Sequence, residues 1–213
     1  MIERYRIKYG KEKIVRFVSH LEVVTFLRRA VRRSGLAVNY SQGFNPQIRL
    51  ALGPALPLGY ESNTEFFDLE LARAENPKKV KELLDAQMPA GFSIIEVRQI
   101  SLSLPSLEQG INLAEYEISV ELDEEKIKTF LQLEKFVIIK SKKGKEEEID
   151  LRPLVLKLNR ENGRLKLLLL FGPKKNVRPE LILQKVFQLT EETAKLARIR
   201  RINLYGWEPG KKY

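Results

Sequence analysis

RYRIKY at residues 4–9 and SHLEVVTFLRRAVRR at residues 19–33 decide the fold. In the first stretch Tyr5, Ile7 and Tyr9 fall on one face and Arg4, Arg6 and Lys8 on the other, the period of a half-buried strand. In the second, Ser19 stands three residues before Glu22, the spacing of a capping box. Leu21, Val24, Leu27 and Val31 form the expected apolar stripe of a helix running to Arg33, with Gly35 as its stop. A basic strand feeding an amphipathic helix opens an α+β pattern.

Working outward, Gly10–Lys13 reads as a bend and Ile14–Val18 as extended chain. Leu36–Tyr40, Gln47–Leu52 and Thr64–Leu71 read as strands. Asn76-Pro77 opens a second helix with Val80, Leu83 and Leu84 inward, closed by Met88-Pro89-Ala90-Gly91. Phe92–Ile100 completes the order βαββαβ, the ferredoxin-like arrangement. Ser101–Gly110, punctuated by proline and glycine, reads as a linker. The pattern then repeats: a strand at Glu115–Leu122, a helix at Asp123–Leu133, a strand at Phe136–Lys140, a charged self-neutralising loop at Lys142–Glu148, strands Leu154–Asn159 and Arg164–Phe171 around the hairpin signal Asn162-Gly163, a helix from Pro179 and a last strand at Ile199–Tyr205. The expectation is two tandem ferredoxin-like domains with antiparallel sheets: residues 1–100, a linker at 101–113, and residues 114–213.

Charge supports that pairing. The first and third strands of such a sheet are neighbours. Arg4, Arg6 and Lys8 would then face Asp68 and Glu70, and in the second half Glu115, Glu117 and Glu121 would face Arg164 and Lys166. Opposite charges across strands are worth ~0.2–1 kcal/mol a pair.

The 213 residues contain no cysteine and one histidine. Disulfides, cysteine-held zinc, iron–sulfur clusters and multi-histidine centres are excluded, so no metal or cofactor of its own is expected. The opening MIERYRIKYG carries charges where a signal peptide needs an apolar core, and no membrane span is visible, so a soluble, cytoplasmic protein is expected. The net charge of +10 favours polyanionic partners. It is uneven. Residues 1–50 hold eleven Lys/Arg against three Asp/Glu, residues 51–122 five against twelve, and residues 123–213 twenty-two against thirteen.

The densest basic group is Arg28, Arg29, Arg32 and Arg33. Spacings of four place Arg28 beside Arg32 and Arg29 beside Arg33, with no acid within a turn. Guanidinium groups match phosphate in a bidentate way, so the group is a candidate anion site; the same residues also suit a solvated helix C-terminus. Lys174 and Lys175 before the helix at Pro179 form a weaker candidate, and Arg198, Arg200 and Arg201 with Lys211 and Lys212 read as a solvated tail. Tyr40–Ser62, YSQGFNPQIRLALGPALPLGYES, has the glycines and prolines of a long structured loop, either a ligand loop or a packing loop across the sheet end, and it matches no Walker or dinucleotide pattern. Tyr40, Ser41, Gly43, Phe44, Asn45 and Arg49 are its candidate RNA-binding residues, with Tyr40 and Phe44 available for stacking. His20, at the first turn of the helix, is the one candidate for acid–base work, or simply a capping residue.

Ser19-His20-Leu21, the arginine pair of the first helix, Tyr40-Ser41-Gln42-Gly43-Phe44-Asn45-Pro46, and Leu58-Gly59-Tyr60-Glu61-Ser62 with Glu65 together resemble the bacterial radical-SAM-linked domain family of unknown function. Its members are encoded beside a radical SAM protein or fused to its C-terminus. The resemblance is strong over about residues 2–100 and loose beyond. It departs at Glu22, where the family commonly has Asp, and at Gln47, where it commonly has His; the second departure weakens any two-histidine chemistry. The resemblance implies an accessory role beside a radical SAM enzyme, in RNA modification. Three functions follow as expectations: a non-catalytic module holding RNA or another phosphorylated substrate, a metal-independent endoribonuclease using His20, or a protein adaptor docking to the radical SAM partner without nucleic acid, the acidic stretch 51–122 serving as its surface.

Overall fold

The computed structural model describes residues 1–142, 145–172 and 177–206. Lys143, Lys174, Lys175, Lys211 and Lys212 lie outside them. The chain is a mixed α+β protein that divides into two compact units, Met1–Ile111 and Asn112–Tyr213, and the strand pairs within each unit are antiparallel.

The first unit runs β1 (Glu3–Lys11), a 3₁₀ turn (Lys13–Phe17), α1 (His20–Arg33), β2 (Leu50–Leu52), β3 (Glu61–Leu71), α2 (Pro77–Asp85), β4 (Phe92–Ile100) and the short α3 (Leu107–Gly110). The sheet order is β4-β1-β3-β2. Tyr5, Ile7, Phe67, Leu69 and Leu71 from the sheet, Leu27 and Val31 from α1, and Val80 and Leu84 from α2 make the core. Each large apolar side chain buried this way stabilises by roughly 1.5–3 kcal/mol. The capping box forms as its spacing requires: Ser19 accepts from the Glu22 amide, and the Glu22 carboxylate accepts from the Ser19 amide at 2.8 Å. Those hydrogen bonds hold the Glu22 carboxyl below its usual range.

The second unit runs β5 (Leu113–Ser119), α4 (Glu125–Gln132), β6 (Val137–Lys142), β7 (Lys145–Asp150), a 3₁₀ turn (Arg152–Leu154), β8 (Val155–Glu161), β9 (Arg164–Leu170), α5 (Pro179–Lys185), α6 (Glu191–Leu196) and β10 (Arg198–Tyr205). Its sheet order is β10-β5-β9-β8, and β6 and β7 form a separate hairpin. Asn162 and Gly163 both take positive φ, 51° and 76°, as the tight turn between β8 and β9 requires. Leu167 and Leu168 project to opposite faces and are both buried, so this sheet is covered on both sides.

The charge pairing is present with one rearrangement in each unit. Arg6 grips Asp68 with two hydrogen bonds, of 2.8 and 2.9 Å. Arg4 stands opposite Glu70 but donates instead to the carbonyls of Ser101 and Leu104. Glu117 binds both Arg164 and Lys166, whereas Glu115 accepts from Asn203 and Tyr205.

Local expectations fail at several places. Ile14–Val18 is not extended; the 3₁₀ turn replaces it, held by the Val18 amide on the Val15 carbonyl and the Gly59 amide on the Arg16 carbonyl, each at 2.9 Å. Leu36–Tyr40 is no strand. Its backbone bonds split between Glu70 and Arg49, leaving only the single bridges Val38–Leu71 and Tyr40–Ile48. Gln47–Leu52 shortens to the three residues of β2 for the same reason. The charged loop is instead β7, because Lys140 and Glu147 pair in register across the hairpin. Leu21 leaves the apolar stripe and is 77% exposed, since the buried side of α1 centres on Val23, Leu27, Ala30 and Val31. The stretch read as a linker is tied into the first unit: Leu107 is buried and α3 is capped by Ser106.

Candidate functional site

Three groups of candidate residues lie in the first unit. The first gathers at the start of α1. His20, the first helical residue, lines a small pocket with Tyr9 and Lys11 of β1, Gly53 and Pro54 after β2, and Glu65 of β3. Lys11 and Glu65 are almost fully buried, as are Glu61, Ser62 and Thr64 beside them. Lys11 Nζ donates to the Val18 carbonyl at 2.6 Å. The Glu61 carboxylate accepts from the Lys13 amide at 3.2 Å and stands 4.0 Å from the Arg16 guanidinium. Ser62 Oγ accepts from the Thr64 amide. Burying charge is costly unless every group finds a partner, so this end of the sheet holds the 3₁₀ turn, β1 and β3 in one fixed geometry. Gly59 takes φ +86°, a conformation that suits glycine, and that lets its amide reach Arg16.

The family-motif residue Glu65 is therefore brought together with His20, while Glu61 ties the start of β3 to Lys13 and Arg16. Lys11 completes the group and was missed. Its signal was present: period two places it in line with Tyr5, Ile7 and Tyr9, so a charge stood on the inward face.

The second group is the arginines of α1, and the fold splits it. At 100° per residue, Arg28 and Arg32 share one flank and Arg29 and Arg33 the next. Arg33 donates to the side chain and carbonyl of Gln87 at 3.1 and 3.2 Å, so the second flank looks toward the end of α2. Arg28 is half-buried, and its Nε has no hydrogen-bond partner. Among the described residues, no ion pair includes any of the four arginines.

The third group is the loop 40–49. The Ser41 amide donates to the Gln47 carbonyl at 2.8 Å, and Ser41 Oγ accepts from the Gln47 amide at 2.9 Å, closing the base next to the Tyr40–Ile48 bridge. Asn45 Oδ1 accepts from Gln47 Nε2. Gly43 takes φ +127° at the tip, and Phe44 beside it is fully exposed; Tyr40 is 41% exposed, and Pro46 is exposed too. Arg49 opens onto a different pocket, shared with Arg4, Asp68 and Glu70. Among the described residues, no hydrogen bond joins this loop to the α1 arginines.

The arrangement is a rigid, charge-filled sheet end flanked by two surfaces that offer cations and an aromatic ring. It belongs to no Walker or dinucleotide-binding architecture. Residues 4–179 match the model of a family described as "Uncharacterized protein conserved in bacteria (DUF2344)", and the chain belongs to this family. No curated protein matches it. No helix among the described residues is long and apolar enough to cross a membrane.

Proposed function

We propose that this chain is a non-catalytic accessory protein that holds RNA, or another phosphorylated substrate, for a radical SAM enzyme. In this reading both units are ferredoxin-like βαββαβ domains, the second carrying the β6–β7 hairpin as an insertion; the strand orders β4-β1-β3-β2 and β10-β5-β9-β8 support it. The observation that carries the function is the pair Arg28 and Arg32, which no carboxylate neutralises among the described residues. Guanidiniums left unpaired in a chain with 28 acidic residues suit phosphate. Phe44, presented at the tip of a loop with a closed base, adds a stacking ring worth ~1–3 kcal/mol per base.

The test is equilibrium binding of total tRNA and rRNA across a salt titration. Affinity falls linearly on a log–log plot, and Arg28→Ala/Arg32→Ala weakens it at least tenfold and flattens the slope by roughly 1–2. Absence of binding at low salt, or a double variant that binds like the parent, rejects the reading.

A second reading rests on the pocket that joins His20 with Tyr9, Lys11 and Glu65. Neighbouring titratable groups favour proton transfer, which suits a metal-independent endoribonuclease. Cleavage of labelled RNA that persists in His20→Ala rules it out.

A further inference from the structure

On the far side of the 3₁₀ turn, Val15 and Val18, Leu21 and Phe26 of α1, and Pro89 and Phe92 line an open groove, about 860 Å³ counted out to its mouth. The Phe26 and Phe92 rings pack at 4.4 Å and form its floor. Leu21 in the lining is 77% exposed, and Ile14 and Phe17, which belong to the same 3₁₀ turn as the lining residue Val15, are 76% and 54% exposed. Three large apolar side chains standing in water around an apolar hollow mark an interaction surface rather than scattered surface residues.

The charge beside the groove is mainly basic. Arg29 lines it, Arg33 follows one turn later on the same flank of α1, and Lys13 lies on the 3₁₀ turn, whose Arg16 is already paired with the Glu61 carboxylate. Arg33 is held by Gln87, which is neutral and leaves its charge intact. The one carboxylate in the lining, Glu22, keeps its charge while one oxygen accepts from the Ser19 amide, and Arg29 with Arg33 outnumbers it. An occupant must therefore bring apolar side chains for the hollow and carboxylates for the rim.

We infer that this groove receives an acidic amphipathic helix from a partner protein, whose apolar side chains enter between the 3₁₀ turn and α1 while its carboxylates meet Arg29 and Arg33. The walls are helical turns, so they offer side-chain contacts, and the concave floor admits protruding side chains in the helix-in-groove manner. An anionic bilayer is the competing occupant, and the vesicle arm of the experiment separates it from a peptide. The inference rests on the accessory-protein reading but uses the other flank of α1 from the one assigned to RNA, so the two can occupy the protein together.

The experiment is selection of the full chain against a displayed library of 15-residue helical peptides. Enriched sequences carry apolar residues at i, i+4 and i+7 beside Asp or Glu. A synthetic representative binds in fluorescence anisotropy; Leu21→Glu weakens it at least tenfold, and Arg29→Glu weakens it but recovers binding when the peptide's Glu residues become Lys. Both side chains are exposed, so unchanged circular dichroism and Tm establish that the variants fold. No enrichment, enrichment without acidic residues, or indifference to Leu21→Glu overturns the inference. So does Leu21-dependent sedimentation with phosphatidylglycerol vesicles in place of peptide binding. RNA affinity is measured on Leu21→Glu as well: it stays at the parental level, so loss of the peptide site and loss of the RNA reading are separate results.

Discussion

Lys11, Ser34, Glu61, Ser62, Thr64, Glu65 and Asp68 are all buried in the first unit, whereas Arg201 is the buried polar residue of the second among those described. The central strand pairs of the two units carry the same connectivity. Where β1 and β3 bring Lys11, Glu61 and Glu65 inside, β5 and β9 bring Leu113, Ile118, Leu165 and Leu167. Buried charge does not add stability over a packed apolar core of the same volume. One strand order thus serves two ends: a leucine-filled unit that supplies folding energy, and a unit whose sheet end is built from groups that are costly to bury. The three candidate groups, at the start of α1, on its arginine flanks and in the loop 40–49, lie in the second kind.

Glycines sharpen the contrast most. At Gly91 an added methyl would lie 2.8 Å from Val15 and 2.9 Å from the Glu12 carbonyl, with φ at +92°. Gly163, at φ +76°, meets nothing within 4 Å. Gly91→Ala is expected to lower stability by about 3 kcal/mol, strain and overlap together, and Gly163→Ala by about 1 kcal/mol, strain alone; urea denaturation measures both. If the two losses are equal, the sheet end of the first unit is not tightly packed.

Next come two replacements by methionine. Lys11→Met removes the donor to Val18 and leaves buried oxygens without it, an expected loss of about 2–3 kcal/mol. Leu167→Met conserves volume and chemistry in the apolar sheet and costs under about 1.5 kcal/mol. A Lys11→Met protein as stable as its parent would mean that the polar cluster is structurally dispensable.

The pH dependence gives a smaller effect. Lys166 first, then Arg164, hold the Glu117 carboxyl below its ordinary value of 4.5. Its contribution is therefore fully present above that value and is lost as pH falls through the depressed folded-state value. Glu117→Gln loses about 1 kcal/mol at pH 7, and the gap to the parent closes on acidification. A gap that stays constant down to pH 2 contradicts the assignment. The smallest effect on stability is expected at Phe44: truncation to alanine changes it by under about 0.5 kcal/mol, because the ring packs on nothing, while RNA affinity falls several-fold.

Much of this was legible in one dimension. Period two found β1, β5 and β10; Ser19 with Glu22 found the start of α1, and Asn76-Pro77 the start of α2; Asn162-Gly163 found the turn between β8 and β9. Each is a local rule satisfied by residues at most four apart. The failures at Ile14–Val18, Leu36–Tyr40 and the charged loop share a cause: their backbone partners are distant in sequence, or, at β7, in a strand whose end was read too early. Leu21 was misplaced because a helix stripe is about 100° wide and its centre depends on what the helix packs against.

The amino-acid order by itself settled the α+β class, the caps of α1 and α2, the absence of cysteine chemistry and the cluster of arginines on one helix, since all of these follow from composition and short spacings. By contrast α4, expected to be capped by Asp123, starts after Glu124, whose side chain makes no cap. Tertiary structure alone decided that Lys11 and Glu65 meet beside His20, that Arg33 reaches Gln87 beyond α2, and that an apolar groove opens next to one flank of the arginines. The reason is physical: burial and charge pairing depend on which segments lie side by side, and strands far apart in sequence become neighbours only when the sheet closes.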